Sequence, residues 1–344
     1  TPHTYLPHIF FLFPMRTLLI TVDALRKDHL SYFGYERETT PFLDKLAEEN
    51  TVFENCYSAS AHTRESIPSI LTGKRPDKCI SGYYNLDSSP IAEILPEKVE
   101  TTGITTGGYL TETEGLDRGF DKFSSDYFLG QNLITRQTEY LVRIVANRQH
   151  RTADELKEDI ISGLETEESF VWTHLMDVHG PYNKYSESFF GERISSRKLQ
   201  LLFRKALHTP SMMSEKDRQK IVDAYDNSLK SLDNRLQDIL SEIPEDTKVI
   251  IVGDHGEFLG DKGLYEHPRR LDNELIKVPL IIKNGENKNF ERPVSTTAIA
   301  PTIAEYYSAE TSSSDKGLYS SRSRKIETSC LKKGKRIFRK IKNP

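Results

Sequence analysis

An α/β fold, with a large, mainly parallel central sheet and helices on both faces, is the architecture this sequence predicts. Three observations predict it. Apolar runs at 17–22, 169–173, 248–252 and 278–282 alternate with stretches of helical periodicity, the pattern of strands covered on both faces. Two of these runs end in an acid, Asp23 and Asp254, and open α/β sheets keep their chemistry at strand ends. A length of 344 residues, 36% of them hydrophobic, suits one large domain with a smaller appendage.

Each element has its own signal. The apolar stretch 9–15 is broken by Arg16 and is too short to span a bilayer. It lacks the charged start and small-residue cleavage site of a signal peptide. Met15 reads as the natural start, and 1–15 as a disordered lead or upstream read-through. The first strand, 17–22, is followed by a helix at 40–49, with Pro41 in its first turn and Leu43, Leu46 and Ala47 at helical spacing. Residues 51–54 read as a strand, 66–72 as a short helix closed by Gly73, and 101–109 as a glycine-containing strand. Charged amphipathic stretches at 130–165 and 214–243 read as surface helices. Between them 169–173 forms a buried strand leading into His174, strands at 248–252 and 278–282 complete the sheet, and 298–307 is a helix. The catalytic unit therefore spans 16–309. Residues 310–344, Ser-rich and then basic, read as a tail that begins a small C-terminal subdomain.

Composition narrows the partners. A net charge of −4 provides no global attraction to nucleic acid or anionic lipid. The basic run Lys332, Lys333, Lys335, Arg336, Arg339, Lys340 and Lys342 reads as a solvated tail, so no nucleic acid and no membrane span are expected. Nothing in the sequence sets an oligomeric state. Cys56, Cys79 and Cys330 are odd in number and have neither CxxC nor zinc-type spacing, which favours a reducing, cytoplasmic setting.

The chemistry lies in three segments. Asp254-His255-Gly256 follows the run 249–252, and Gly253 and Gly256 permit the turn that lets adjacent side chains face one ion. Asp23 holds the equivalent place after the first strand, within Asp23-x-x-Arg26-x-Asp28. The pair reads as a divalent-metal site. The third segment, 61–73, is a polar loop that runs into a short helix ending Thr72-Gly73.

In that order and spacing, and with Thr40-Pro41-x-Leu43-Asp44-x-Leu46-Ala47 and Lys277-Val278-Pro279-Leu280, the chain resembles the sulfatase-like branch of the alkaline phosphatase superfamily. The resemblance covers about 16–309 and implies an alkaline phosphatase-like fold. It implies a metal held by Asp23, Thr63, Asp254 and His255, with Thr63 as nucleophile, counted back from Thr72-Gly73. It also implies that His179, in His-x-Pro-Tyr fashion, binds the transferred oxygens, and that His267 serves the leaving group. Tyr109-x-Thr111, a pair that one strand face would present, resembles an anion-binding pair of phosphonate and phosphodiester hydrolases. Lys262 is a further substrate-binding candidate, and His174 and Asp177 are supporting residues. The chain departs from the family where Glu65 replaces a Pro, Ile67 an Arg, and Ala24 a second metal ligand. Ser66 is the alternative nucleophile.

Thr63 cannot be oxidised to formylglycine, so a phosphate-type ester (phosphodiester, phosphonate or phosphomonoester) is expected, cleaved or transferred through a covalent threonine ester. The rivals are a sulfuric ester hydrolase and a catalytically silent metal- or anion-binding domain. His255 as ligand suits Mn²⁺ or Zn²⁺, with Mg²⁺ and Ca²⁺ as alternatives.

Overall fold

The computed structural model describes residues 15–341 except 83, 108, 127–149, 183–186, 311–316, 321–325 and 333–334. The expected disordered lead, 1–14, lies outside the described residues, and Met15 opens the first strand.

Eight strands form the central sheet. They are β1 (Met15–Val22), β2 (Thr51–Phe53), β3 (Glu100–Thr105), β4 (Lys122–Ser125), β5 (Glu168–Leu175), β6 (Lys248–Gly253), β7 (Leu280–Lys283) and β8 (Asn289–Phe290). Their order is β8-β2-β7-β6-β1-β5-β3-β4. Only β7 runs antiparallel to its neighbours β6 and β2. The remaining pairings are parallel, so the sheet is mainly parallel as expected, but β4 and β8 were not foreseen and the run read at 278–282 breaks at Pro279, with Lys277–Val278 pairing instead with Cys56–Tyr57.

Alternation along the central strands explains why their apolar runs are continuous. Leu18, Ile20 and Val22 of β1 and Val249 and Ile251 of β6 enter one apolar cluster, whereas Leu19, Ile250 and Val252 enter the cluster on the opposite face. The first face is covered by α1 (Pro41–Glu49), α3 (Ala153–Gly163), α4 (Ser196–His208) and α5 (Glu215–Glu242), through side chains such as Leu43, Leu156, Phe203 and Leu229. The second is covered by α2 (Thr63–Thr72) and α6 (Ile299–Tyr306), through Ile67, Ile70 and Ile303. Ser214 caps α5, accepting the Asp217 N–H at 3.1 Å.

Three further expectations are revised. The strand read at 101–109 stops at Thr105, and the chain reaches Thr111 as the cap of a short 3-10 turn. Of the surface helix read at 130–165, residues 153–163 are helical, and 127–149 lie outside the described residues. The basic run is not solvated coil. Lys335–Ile341 is a strand, β10, paired antiparallel with β9 (Ile326–Lys332), and Ser329 N–H donates to Ala59 O at 2.9 Å. Counting charges hid the strand pairing, in which the partner strand β9 buries Thr328, Ser329 and Cys330. Among the described residues no helix is long and apolar enough to cross a membrane. All three cysteines are buried free thiols.

Candidate functional site

The register of three neighbouring strands builds the site. Thr21 of β1 lies opposite His174 of β5, and Val22 lies opposite both Leu175 and Gly253. Two bonds extend the ladder past the strand ends: Asp23 N–H to Leu175 O at 2.9 Å and Asp254 N–H to Val22 O at 3.1 Å. Asp23, His174 and Asp254 therefore emerge side by side, their ligand atoms all within 4.8 Å of one another. All three are buried. The chain turns sharply after Asp23 because Ala24 adopts a left-handed conformation (φ 58°). The Tyr225 hydroxyl of α5 fixes that turn, donating to Ala24 O at 2.9 Å and accepting from Arg26 N–H at 2.9 Å. Arg26 in turn pairs with Asp28 at 2.7 Å and Asp261 at 2.6 Å, so Asp-x-x-Arg-x-Asp is a structural tie beneath the site.

His255 reaches the same point because the chain leaves the ladder at once, Gly256 N–H donating to Leu275 O at 2.8 Å. A Cβ at Gly256 would lie 2.2 Å from Glu274 O, which explains the glycine. His255 Nδ1 bonds Gly256 O at 2.9 Å, a partner that can only accept, so the proton sits on Nδ1 and Nε2 is left with its lone pair. That Nε2 is 3.0 Å from Thr63 Oγ1 and 3.6 Å from both Asp23 and Asp254. Thr63 is the first residue of α2, at the positive end of the helix dipole, and its hydroxyl donates to Asp23 Oδ2 at 3.1 Å. Ser66, the alternative nucleophile, is fully buried and donates to Asp254 Oδ2 at 3.2 Å, one turn behind Thr63.

His174 is the residue that the sequence reading ranked too low. Thr21 Oγ1 donates to Thr173 O at 3.1 Å, so it accepts from Trp172 Nε1 at 3.1 Å and from His174 Nδ1 at 3.0 Å. His174 Nε2 is thereby left unprotonated. It points at Asp23 Oδ2, 3.5 Å away, and has no hydrogen-bond partner. The signal was available: His174 follows the run 169–173 as Asp23 and Asp254 follow theirs. Asp177 does support the fold, accepting Ala153 N–H at the start of α3 at 3.0 Å.

The electrostatics fit a cation. Burial, together with the charge on Asp23, pushes the Asp254 carboxyl well above the ordinary carboxylate range. Burial would raise Asp23 too, but the electrostatic attraction of His179 leads the effects that outweigh it and hold that carboxyl well below its usual value. Burial keeps His255 neutral, the form that binds metals. Asp23 Oδ1 and His174 Nε2 are buried without a hydrogen-bond partner, so the donor set lacks the positive charge that would satisfy it.

A cavity of about 320 Å³ opens over these atoms, lined by Thr63, His179, His267, Arg64, Arg269 and Tyr109 among others. The His267 ring lies 4.5 Å from that of His255 and 5.8 Å from that of His179, and His267 Nδ1 is 3.1 Å from His62 Nδ1. Burial, reinforced by His255 and His179, holds His267 well below the ordinary histidine range. His62 is held down to about 3 by burial, His255 and Arg269. Two expected residues fall elsewhere. Thr111 is buried and bonds Glu114 at 2.6 Å, because β3 ends before any strand alternation can pair it with Tyr109. Lys262 is half exposed, pairs with Asp272 and Glu274 at 2.9 Å each, and does not line the cavity.

Known proteins resemble this chain in sequence and in fold. Residues 16–309 match the family model described as Sulfatase. The chain is 23% identical to phosphatidylethanolamine transferase Mcr-1 of Escherichia coli over 269 residues, 74% of this chain and 45% of that protein. It spans about half the length of the curated relatives it matches. The fold superposes on the C-terminal periplasmic domain of EcEptC from Escherichia coli, solved in complex with Zn, with a TM-score of 0.69 and 17% identity, covering 94% of this chain and 92% of that one. The phosphonate monoester hydrolase of Agrobacterium radiobacter superposes with a TM-score of 0.65 and 17% identity, covering 93% and 81%.

Proposed function

The chain belongs to the Sulfatase family, and from that premise we propose that it is a metal-dependent hydrolase or transferase of phosphate-type esters that works through Thr63. The observation that carries this reading is the position of the Thr63 hydroxyl, 3.1 Å from Asp23 Oδ2 and 3.0 Å from His255 Nε2, at the first turn of α2. A threonine there supports phosphoryl chemistry, because its ester must be broken by attack at the transferred group, and phosphorus accepts such attack. Mcr-1, named a phosphatidylethanolamine transferase, and the phosphonate monoester hydrolase support the same substrate class.

Asp23, Asp254, His255 and Thr63 would hold a divalent metal, with His174 as a further donor. Bound there, the metal would supply charge neutralisation and a lowered hydroxyl pKa. Zn²⁺ is favoured by the imidazole donors and by the Zn-bound neighbour, and Mn²⁺ is the next choice. The Thr63 oxygen attacks phosphorus in line, its proton leaving to solvent because the bound metal would lower the hydroxyl pKa, and the bond to the leaving oxygen breaks as the new ester forms. His179 and the N–H groups opening α2 hold the non-bridging oxygens. His267, neutral in its buried surroundings, steadies the leaving oxygen by hydrogen bonding. Water or an acceptor alcohol then attacks the phosphothreonine and restores Thr63. The free cysteines support a cytoplasmic setting as part of the proposal, and fractionation that recovers the protein elsewhere removes that part.

The test is a turnover panel of aryl phosphate, phosphodiester, phosphonate and sulfate esters with metal-loaded wild type and Thr63→Ala. Loss of at least about a thousandfold in the variant, with phosphorus esters preferred, is expected. Equal activity in both proteins overturns the role of Thr63, and preference for sulfate overturns the substrate class.

A further inference from the structure

The cavity beside Thr63 has an outer half whose chemistry the phosphoryl reading leaves unused. Of the described residues that line it, Asp23 is the sole carboxylate, and it lies at the floor. The outer wall holds two guanidinium groups. Arg64 lies over the Tyr84 ring, 4.2 Å from its centroid, and over the Tyr109 ring at 4.8 Å, with Glu114 3.8 Å away. Arg269 donates to Tyr84 Oη at 3.0 Å and to Leu331 O, and among the described residues no carboxylate lies within 4.0 Å of it. Leu110 and Met176 complete an apolar flank, and Tyr109 is 57% exposed at the mouth.

The planar Arg64 guanidinium held against the two tyrosine rings, beside an apolar flank, favours a flat ring over a flexible chain. The charge on the wall selects its sign. An ammonium group would need carboxylates or open aromatic faces, and here the tyrosine faces already carry the Arg64 guanidinium. A carboxylate or second phosphate would find the Arg269 fork, which carries no acid. We propose that Arg64, Tyr84, Tyr109 and Arg269 form a subsite for an anionic, ring-bearing organic group on the ester, and that this subsite disfavours a cationic group such as ethanolamine. The proposal rests on the phosphoryl reading for the adjoining atoms, and it sets the substrate apart from that in the name of the Mcr-1 relative.

Three matched esters test it: 4-carboxyphenyl phosphate, phenyl phosphate and 4-(aminomethyl)phenyl phosphate, turned over by the metal-loaded full chain. Calorimetric binding of the alcohols 4-hydroxybenzoate, phenol and 4-hydroxybenzylamine is measured in parallel. KM should be about tenfold lower for the carboxylate than for the neutral ring, and higher again for the amine, with affinities of the alcohols in the same order. Arg269→Met should abolish the preference. Because Arg269 also anchors Leu331, the discrimination shown by wild type alone decides the matter should that variant not fold. Equal KM values and equal affinities overturn the subsite and leave the phosphoryl reading standing. Binding in the expected order without turnover of any ester keeps the subsite and overturns the reading beside it, whereas neither binding nor turnover overturns both.

Discussion

His174 Nε2 and Asp23 Oδ1 are buried polar atoms that lack a partner within one cluster, and each has an ordered neighbour on its other side that fixes its orientation. A side chain held in this way contributes to a metal site by direction as much as by charge. His174→Gln should therefore weaken Zn²⁺ or Mn²⁺ binding about 10–100-fold in a chelator competition while the fold is retained. Unchanged affinity would make His174 a purely structural residue. Asp233, which is not part of the site, illustrates the opposite case. It accepts Phe42 and Leu43 N–H at the start of α1, each at 2.9 Å, and burial raises its carboxyl from 3.8 to about 6. Because the folded value is the higher one, the native state binds the extra proton between pH 6 and 4, and stability is gained as pH falls through that window. Relative to Asp233→Asn, wild type should gain about 1 kcal/mol between pH 7.5 and pH 5 in urea unfolding. A flat difference would remove Asp233 from the account.

Helix α2 and the C-terminal hairpin depend on each other. Glu65, two residues after Thr63, is fully buried. Its Oε2 accepts from Ser60 Oγ at 2.6 Å and lies 3.5 Å from Arg336 of β10, while Oε1 has no partner. Removing the cation strands a carboxylate in the first turn of the helix that presents the proposed nucleophile. Arg336→Met should cost about 2 kcal/mol in chemical denaturation, discounted for the partial exposure of the arginine. A cost near zero would show that the hairpin does not brace the helix. Glu65 was legible only as a departure from a family proline, and the basic run only as charge, because both derive their meaning from a contact between residues 65 and 336 that no local pattern encodes. Tyr109 and Thr111 failed in a related way. Strand periodicity was extended past Thr105, where the backbone had already turned. The strand-end residues Asp23, Asp254 and His255 were legible because a continuous apolar run announces where its last buried position lies.

At the scale of the whole molecule the site joins distant parts of the chain, since Asp23, Thr63, His174 and Asp254 arrive from separate elements of a sheet order that sequence patterns do not specify. A cation bound by all of them favours the native state over the unfolded chain, by about 4 kcal/mol when free metal exceeds its dissociation constant a thousandfold. Loading with Zn²⁺ or Mn²⁺ should raise Tm by several degrees over chelator-treated protein. Without a cation the same residues oppose folding, because Asp23 and Asp254 are two buried acids whose charges repel. Asp254→Asn retains the geometry: its carbonyl can accept Ala24 and His255 N–H in place of Oδ1, and its amide can donate to Ser66 Oγ. The variant should therefore melt higher than wild type when both are metal-free, and its melting temperature should no longer respond to metal. If Asp254→Asn melts lower than metal-free wild type, the two carboxylates are not in repulsive conflict. If it keeps the full metal-induced shift, Asp254 is not among the groups that hold the ion.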